Sequence, residues 1–406
     1  MQKITQILSQ KISANFDKIE DFFNKKFSKY PALFYNSVDL RHAGFKIAPI
    51  DTNCFSAGFN NLSLSSQELA REAIANFLKN NFPDAKNILL IPENHTKNLR
   101  YLENVLSFKN LFSQNIVIGS LIENLAENTT IDLENGTSIT LHPLQRINDK
   151  ITTKDGFIPD LIVLNNDLTD GIPEILTNLA TPIIPALSMG WHQRTKSNHF
   201  TIYNNLAAEF AQLIDIDPWL ISSMHRSCHE VNFKEQTGIA CLAKYVDELI
   251  ADLTKKYQEY GIDEQPYCFI KADNGTYGIA VWAVFGGAEV LEINKKERNK
   301  MNMLKGSIQT TQVMIQEGIK TLDKIDNKIA EPLIYLVDGH VIGNLFRVNE
   351  NRDEKISLNA AGMSFCDLNN LEENQINLGA SKNEITKIYS IIARLAALAA
   401  AIENVN

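Results

Sequence analysis

The sequence predicts an α/β chain in two parts, an N-terminal α/β domain over residues 1–205 and a second domain over residues 206–406. Three patterns carry this. Between residues 66 and 200 short apolar runs alternate with helical patterns, the mark of a sheet that is parallel at least in part. Helical spacing dominates from Ala207 to Tyr260. Beyond Gln265 the pattern changes to paired apolar runs joined by Gly-containing turns, which are hairpins.

At the N-terminus, Ile4, Leu8, Ile12, Phe16, Ile19 and Phe23 recur at helical spacing and predict one amphipathic helix over residues 1–30. Asn87–Pro92, Asn115–Gly119 and Asp160–Asn165 are apolar runs that end in turns or breakers, and each predicts a buried strand. Ligands of such sheets bind beyond the carboxyl ends of the strands, where Glu93, Asn94, Asn165, Asn166 and Asp167 fall. The helical region breaks near Asp217-Pro218. His225, Cys228 and His229 lie on the predicted helix, but no second cluster completes a four-ligand zinc set. A basic helix is expected over residues 294–306. The apolar helix from Glu384 to Ile402 should pack on the second sheet.

The segment from Tyr267 to Val281 is the richest in chemistry. An apolar run ends at Lys271, a loop holding Gly275, Thr276 and Gly278 follows, and a second apolar run begins. The glycines let backbone N–H groups approach an anion, Thr276 adds a hydroxyl, and Lys271 a point charge. These are the parts that cover nucleotide phosphates. No GK[ST] follows and no helix opens behind the loop, so it is not a Walker loop. Gln316 lies 45 residues downstream of Lys271 on an apolar run and Glu317 follows it, where an amide and a carboxylate suit the adenine edge and ribose hydroxyls. A hairpin follows at Leu333–Asn349, turning at Asp338-Gly339 and ending in Arg347; Asn359 then sits among small residues.

In this order and spacing, residues 225–400 resemble the ATP-grasp ligases, such as prokaryotic glutathione synthetases and the enzymes that add glutamate to ribosomal proteins. The second domain is therefore expected to be ATP-grasp-like. A closer resemblance starts at Asn36-Ser37-Val38-Asp39-Leu40-Arg41-His42-Ala43-Gly44 and continues through Asp51-Thr52-Asn53 to Gly58-Phe59-Asn60-Asn61. With Trp191–Phe200, this is similar to the signature of a proteobacterial glutamate–cysteine ligase family of ATP-grasp-like type, and the similarity spans nearly the whole chain.

That resemblance implies ATP-dependent ligation of the L-glutamate γ-carboxylate to L-cysteine through an acyl phosphate, the first step of glutathione biosynthesis. It implies catalytic roles for Lys271 and Arg347. The nucleotide would be bound by Lys234, Lys271, Gly275, Thr276, Gly278, Gln316 and Glu317. Arg41, Asp51, Asn53, Asn60, Asn61, Arg194 and Lys196 would bind substrate, and Asn359 would be a Mg2+ ligand. ATP-grasp enzymes usually follow the final helix with a strand carrying an acidic residue and then a Glu-x-Asn pair, all binding magnesium. Here Glu403-Asn404-Val405-Asn406 follows the helix directly, with the wrong spacing, so the acidic ligands are expected elsewhere, with Asp51, Glu317 and Asp338 as unranked candidates, or from ATP itself. Two alternatives stay open: a ligase acting on another amino acid or a protein acceptor, and a non-catalytic nucleotide-binding regulatory protein.

Composition narrows the field. The 406 residues are 44% hydrophobic, a globular composition with room for more than one core. A net charge of −9 argues against a general nucleic-acid or anionic-membrane surface, while leaving room for a local basic pocket. Five scattered cysteines without a CxxC predict reduced thiols. The charged N-terminus lacks a signal peptide's apolar core, and the apolar stretch from Ile391 to Ile402 is interrupted by Arg394. A cytoplasmic protein with small-molecule substrates is expected, with a homo-oligomer allowed.

Overall fold

The computed structural model describes residues 3–95, 97–123, 125–274, 280–302 and 310–405. Its α/β class is as expected. The first helical region is two helices, α1 (Ile4–Ala14) and α2 (Phe16–Lys29). The break at Asn15 resets the helical phase. Ile4, Leu8, Ile12, Ile19 and Phe23 are buried, but Phe16 is 57% exposed.

Strands β1 (Tyr35–His42) and β2 (Ile47–Asn53) form an antiparallel pair. Helix α3 (Leu64–Asn81) is capped by Ser63, which accepts from the Ser66 N–H. Next come β3 (Asn87–Pro92), α4 (Leu99–Lys109), β4 (Asn115–Ser120), β5 (Thr129–Asp132), β6 (Ser138–Ile147), β7 (Lys150–Thr153), β8 (Leu161–Asn165) and β9 (Ile183–Ile184). They build one sheet of order β5-β6-β4-β3-β8-β9, with β7 paired to β6. Its parallel centre, β4-β3-β8, is formed by the three apolar runs. These runs are apolar throughout because both faces are covered: Ile88 and Leu90 share a core with α3 and α4, Leu89 and Ile91 another.

Helix α5 (Lys196–Ile214), β10 (His225–His229), α6 (Ile239–Glu259), β11 (Cys268–Ala272), β12 (Val281–Val284), α7 (Gly287–Leu291), α8 (Lys295–Asn302) and β13 (Gln312–Glu317) follow. The four strands form an antiparallel sheet of order β10-β13-β11-β12. Residues 225–229 were expected in a helix; pairing along β13 overrides that local pattern.

The remaining strands are β14 (Lys324–Ile325), β15 (Lys328–Val337), β16 (His340–Val348), β17 (Ser364–Asp367) and β18 (Ile376–Asn377), before α9 (Lys382–Glu403). They join β1 and β2 in a sheet whose main order is β17-β16-β15-β1-β2. Thus the N-terminal hairpin completes a sheet made mostly by the C-terminal quarter, across the expected boundary at residues 205 and 206. The physical reason lies in β15, which is apolar on both faces and needs a buried neighbour, and β1 supplies it.

Side-chain alternation divides this large sheet. On one face Leu333, Tyr335 and Leu345 meet the core of α3 and α4; on the other Val38, Leu40, Ile334, Leu336 and Phe346 meet α1, α5 and α9. Helix α9 is long and apolar enough by composition to cross a membrane, but Ile385, Ile388, Ile392, Leu395 and Leu398 are core residues here. A capping box of Ser381 and Glu384 fixes its start.

Candidate active site

On the α3/α4 face, toward one end of the large sheet, the apolar residues give way to charge. Asp39 and Arg41 on β1, Glu331 on β15 and Arg347 on β16 share the parity of Tyr35, Leu333 and Leu345 and project to this side. The four-stranded sheet brings Phe269 and Lys271 to the same crevice, and Lys196 enters from the first turn of α5. Asp273 joins the two parts by accepting from the Ser197 N–H at 2.8 Å and from its hydroxyl at 2.6 Å.

Arg41 is fully buried and its donors are all taken. Nε bonds Glu331 at 2.7 Å, Nη2 bonds Glu331 and the Ile356 carbonyl, and Nη1 bonds the carbonyls of Ile319 and Glu354. It is a strut, which differs from its expected role as a free partner for a substrate carboxylate. Arg347 is different. Its Nη1 donates to Asp39 at 2.6 Å and Glu331 at 3.2 Å, while Nε is buried without a hydrogen-bond partner among the described residues. Burial works against the Arg347 charge, but Asp39 and Glu331 outweigh it and raise its pKa. Burial likewise raises the Asp39 carboxyl, with Arg347 opposing.

Lys271 donates to the Ile50 carbonyl at 2.9 Å and to Gln316 Oε1 at 2.7 Å, leaving a third N–H. Both acceptors are neutral. Desolvation lowers its pKa to about 8, against the pull of Asp51. Lys196 bonds Asp51 at 2.6 Å and lies 4.2 Å from the Trp191 ring centroid. Burial alone would raise the Asp51 pKa, yet Lys196 and Lys271 bring it below the ordinary value. Four cations, Arg41, Lys196, Lys271 and Arg347, thus face three carboxylates, Asp39, Asp51 and Glu331, an excess of one positive charge.

Of the residues proposed from sequence, the crevice brings together Arg41, Asp51, Lys196, Lys271, Arg347 and Asn359. Gln316 reaches it through Lys271, and its Nε2 donates to Ser223 Oγ at 2.9 Å. Others lie elsewhere. Glu317 points to the opposite side of β13, where Lys46, the Trp219 indole and the Met224 N–H hold it, so it has no place at a ribose. Asn53 ends β2, and Asn60 and Asn61 sit on a short turn anchored by Asn104 to Phe59 N; none lines the crevice. Arg194 is held by Glu403 and the Thr52 carbonyl. Lys234 is exposed in a turn ordered by Asn232. Gly275, Thr276 and Gly278 lie outside the described residues.

Sequence reasoning missed Asp39, Glu331 and Glu403. The first two were legible as charges inside otherwise apolar strands, at same-face positions relative to Arg41 and Arg347. Glu403 was read only as a misplaced metal ligand. It pairs with Arg194 and His199, and those partners lower its pKa to about 2 although burial would raise it. Burial lowers the His199 pKa, against the pull of Glu403.

The crevice fits an anionic group: among the described residues, buried Arg347 Nε has no acceptor and the Lys271 ammonium has no direct counter-ion. Its free space is about 60 Å³, room for a carboxylate or phosphoryl group. A caged metal does not fit. Among the described residues no three His, Cys, Asp or Glu side chains gather for one, and Asp39, Asp51 and Glu331 are each paired with a cation.

The family model for glutamate-cysteine ligase matches residues 9–404. The chain belongs to the glutamate–cysteine ligase family. A crystal structure of a Methylobacillus flagellatus KT protein assigned as a gamma-glutamylcysteine synthetase superposes with a TM-score of 0.89 at 38% identity, covering 98% of this chain and 95% of that one. D-alanyl-alanine synthetase A from Vibrio cholerae O1 biovar eltor str. N16961 aligns over 76% of this chain and 80% of its own, at 12% identity and a TM-score of 0.34, too low to carry any argument. No curated protein matches the sequence. This glutamate–cysteine ligase joins glutamate to cysteine in glutathione biosynthesis, with ATP and a divalent metal.

Proposed function

We propose that the crevice between the large and the four-stranded sheet is where the glutamate γ-carboxylate and the transferred phosphoryl group meet. The supporting observation is the pair Lys271 and Arg347, two buried cations of which, among the described residues, Lys271 keeps a third N–H and Arg347 its Nε without a protein acceptor. ATP supplies the phosphoryl group that turns the γ-carboxylate into an acyl phosphate, which the cysteine amine then attacks. The protein's part is positioning and charge neutralisation. Lys271, held by Gln316 and the Ile50 carbonyl, presents its third N–H to the developing negative charge. Arg347, anchored by Asp39 and Glu331, presents Nε, and Lys196 adds charge from the α5 side. Arg41 positions Glu331 and the loops around residues 319 and 354–356.

Magnesium is the proposed metal. A hard cation carried by nucleotide phosphates needs only one or two protein oxygens, and the Asn359 amide, which forms no side-chain hydrogen bond among the described residues, is one at the crevice. The reaction is placed in the cytoplasm, where reduced thiols match the five free cysteines.

The test is product formation. With Mg-ATP, L-glutamate and L-cysteine together should give ADP, phosphate and the γ-linked dipeptide by mass spectrometry, and either amino acid alone little turnover. Replacing cysteine by 2-aminobutyrate should preserve some turnover, since the amine is the nucleophile. Turnover only with a different amino-acid pair would overturn the substrate assignment. ATP binding without turnover for any pair would favour a non-catalytic protein.

A further inference from the structure

Strands β1 and β2 set two carboxylates directly opposite each other. Asp39 pairs in register with Asp51, and both side chains line the crevice. Like charges facing across an antiparallel pair are destabilising, so the arrangement has a cost. Cations offset it through one oxygen of each carboxylate. Arg347 Nη1 donates to Asp39 Oδ1 at 2.6 Å, and Lys196 Nζ donates to Asp51 Oδ1 at 2.6 Å. The Thr52 N–H also goes to Asp51 Oδ1. Among the described residues, Oδ2 of Asp39 and Oδ2 of Asp51 accept no hydrogen bond. Glu331, the third carboxylate of the crevice, differs: Arg41 takes its Oε1 and Arg347 its Oε2.

The two aspartates also differ from each other. Asp39 is 6% exposed, and burial raises its pKa, with Arg347 opposing and Asp51 and Glu331 adding to the rise. Burial acts on Asp51 in the same direction, but Lys196 and Lys271 bring it below the ordinary value. Neighbouring carboxylates pushed apart in this way suit different tasks, one accepting a proton while the other stays ionised. Asp39 is also close to the reaction. Arg347 holds it through Nη1 and keeps Nε for the acyl phosphate, so one guanidinium serves both.

We propose that Asp39 is a further catalytic residue, the base that takes a proton from the cysteine ammonium, and that Asp51 holds that ammonium by its charge. The inference rests on the acyl-phosphate reading of the crevice. The ammonium gives one proton to Asp39 Oδ2, and the freed nitrogen lone pair forms the C–N bond to the γ-carbonyl carbon. The C–O bond to phosphate then breaks, its electron pair leaving with phosphate, which takes the second proton from nitrogen. Asp39 returns its proton to solvent before the next turnover.

The test compares two acceptors on the full-length enzyme with Mg-ATP and L-glutamate: L-cysteine, and hydroxylamine. Hydroxylamine is largely unprotonated at neutral pH, so it traps the acyl phosphate as a hydroxamate without needing a base. Asp39→Asn should lower γ-glutamylcysteine formation about 10²-fold more than hydroxamate formation, the usual size of a general-base contribution. Losing only its grip on Arg347 would slow both acceptors alike. Asp51→Asn, at a less buried side chain, gives a second reading should Asp39→Asn not fold. Its KM for cysteine should rise roughly tenfold, and that for hydroxylamine much less. Equal losses with both acceptors in Asp39→Asn, or an unmoved cysteine KM in Asp51→Asn, overturn the proposal. Wild-type enzyme that makes the dipeptide but no hydroxamate overturns the acyl-phosphate reading and this inference with it.

Discussion

Two buried lysines meet adjacent residues of one strand, and their difference separates structure from chemistry in this enzyme. Lys46 pairs with Glu317 at 2.7 Å, and Lys271 pairs with Gln316 at 2.7 Å, on opposite sides of β13. Desolvation lowers both pKa values to about 8. Lys46 has a full counter-ion, lies 4.3 Å from the Trp219 ring centroid and is fully buried. Lys271 has two neutral acceptors and faces the crevice. A buried charge left without its counter-ion is costly for folding, and the cost makes sense where an anionic substrate completes the site.

The comparison can be broken most forcefully at Lys46. Lys46→Ala strands the Glu317 carboxylate in the core, and removing one partner of a buried pair costs about 3–5 kcal/mol. Urea unfolding should show that loss, while turnover per folded molecule changes little. Glu403 belongs with Lys46, as a buried charge matched by protein partners. Its folded pKa of about 2 lies below the ordinary 4.5, so its stabilisation is complete above about pH 4.5 and is lost as pH falls toward 2. Glu403→Gln should cost about 2–3 kcal/mol near pH 6, and the gap to wild type should narrow by pH 3. A gap independent of pH would refute the assigned charge state.

Two smaller effects sharpen the Lys271 side. Gln316→Glu gives Lys271 the counter-ion that Lys46 already has, which raises its pKa and spends its charge on the protein; turnover should fall about tenfold. With wild type, Lys271 loses its proton as pH rises through about 8, so kcat should decline on that limb. In Gln316→Glu the decline should move to higher pH. An alkaline limb that stays in place would assign it to another group.

Much of this was legible beforehand because the signals were local. The three apolar strands of the parallel sheet and the Lys271 run are contiguous patterns, and they stand where the sequence put them. What was hidden depends on distant partners. Nothing near Glu317 announces Lys46 or Trp219, so a carboxylate next to Gln316 looked like a second nucleotide ligand. Residues 225–229 became a strand through pairing with β13, which no helical count detects. Arg41 looked like a substrate ligand because the acceptors of its five hydrogen bonds come from segments roughly 300 residues away. The domain boundary failed for the same reason, since β1 finds its neighbour in β15.

The most direct test of the central claim is to measure γ-glutamylcysteine formation by Lys271→Ala, alongside its unfolding curve. Removing a charge that acts mainly in the transition state costs on the order of 10²–10³ in rate. That loss is expected in kcat, with a cooperative unfolding transition retained. Wild-type turnover in a folded Lys271→Ala protein would contradict it and move the phosphoryl-transfer site away from this crevice.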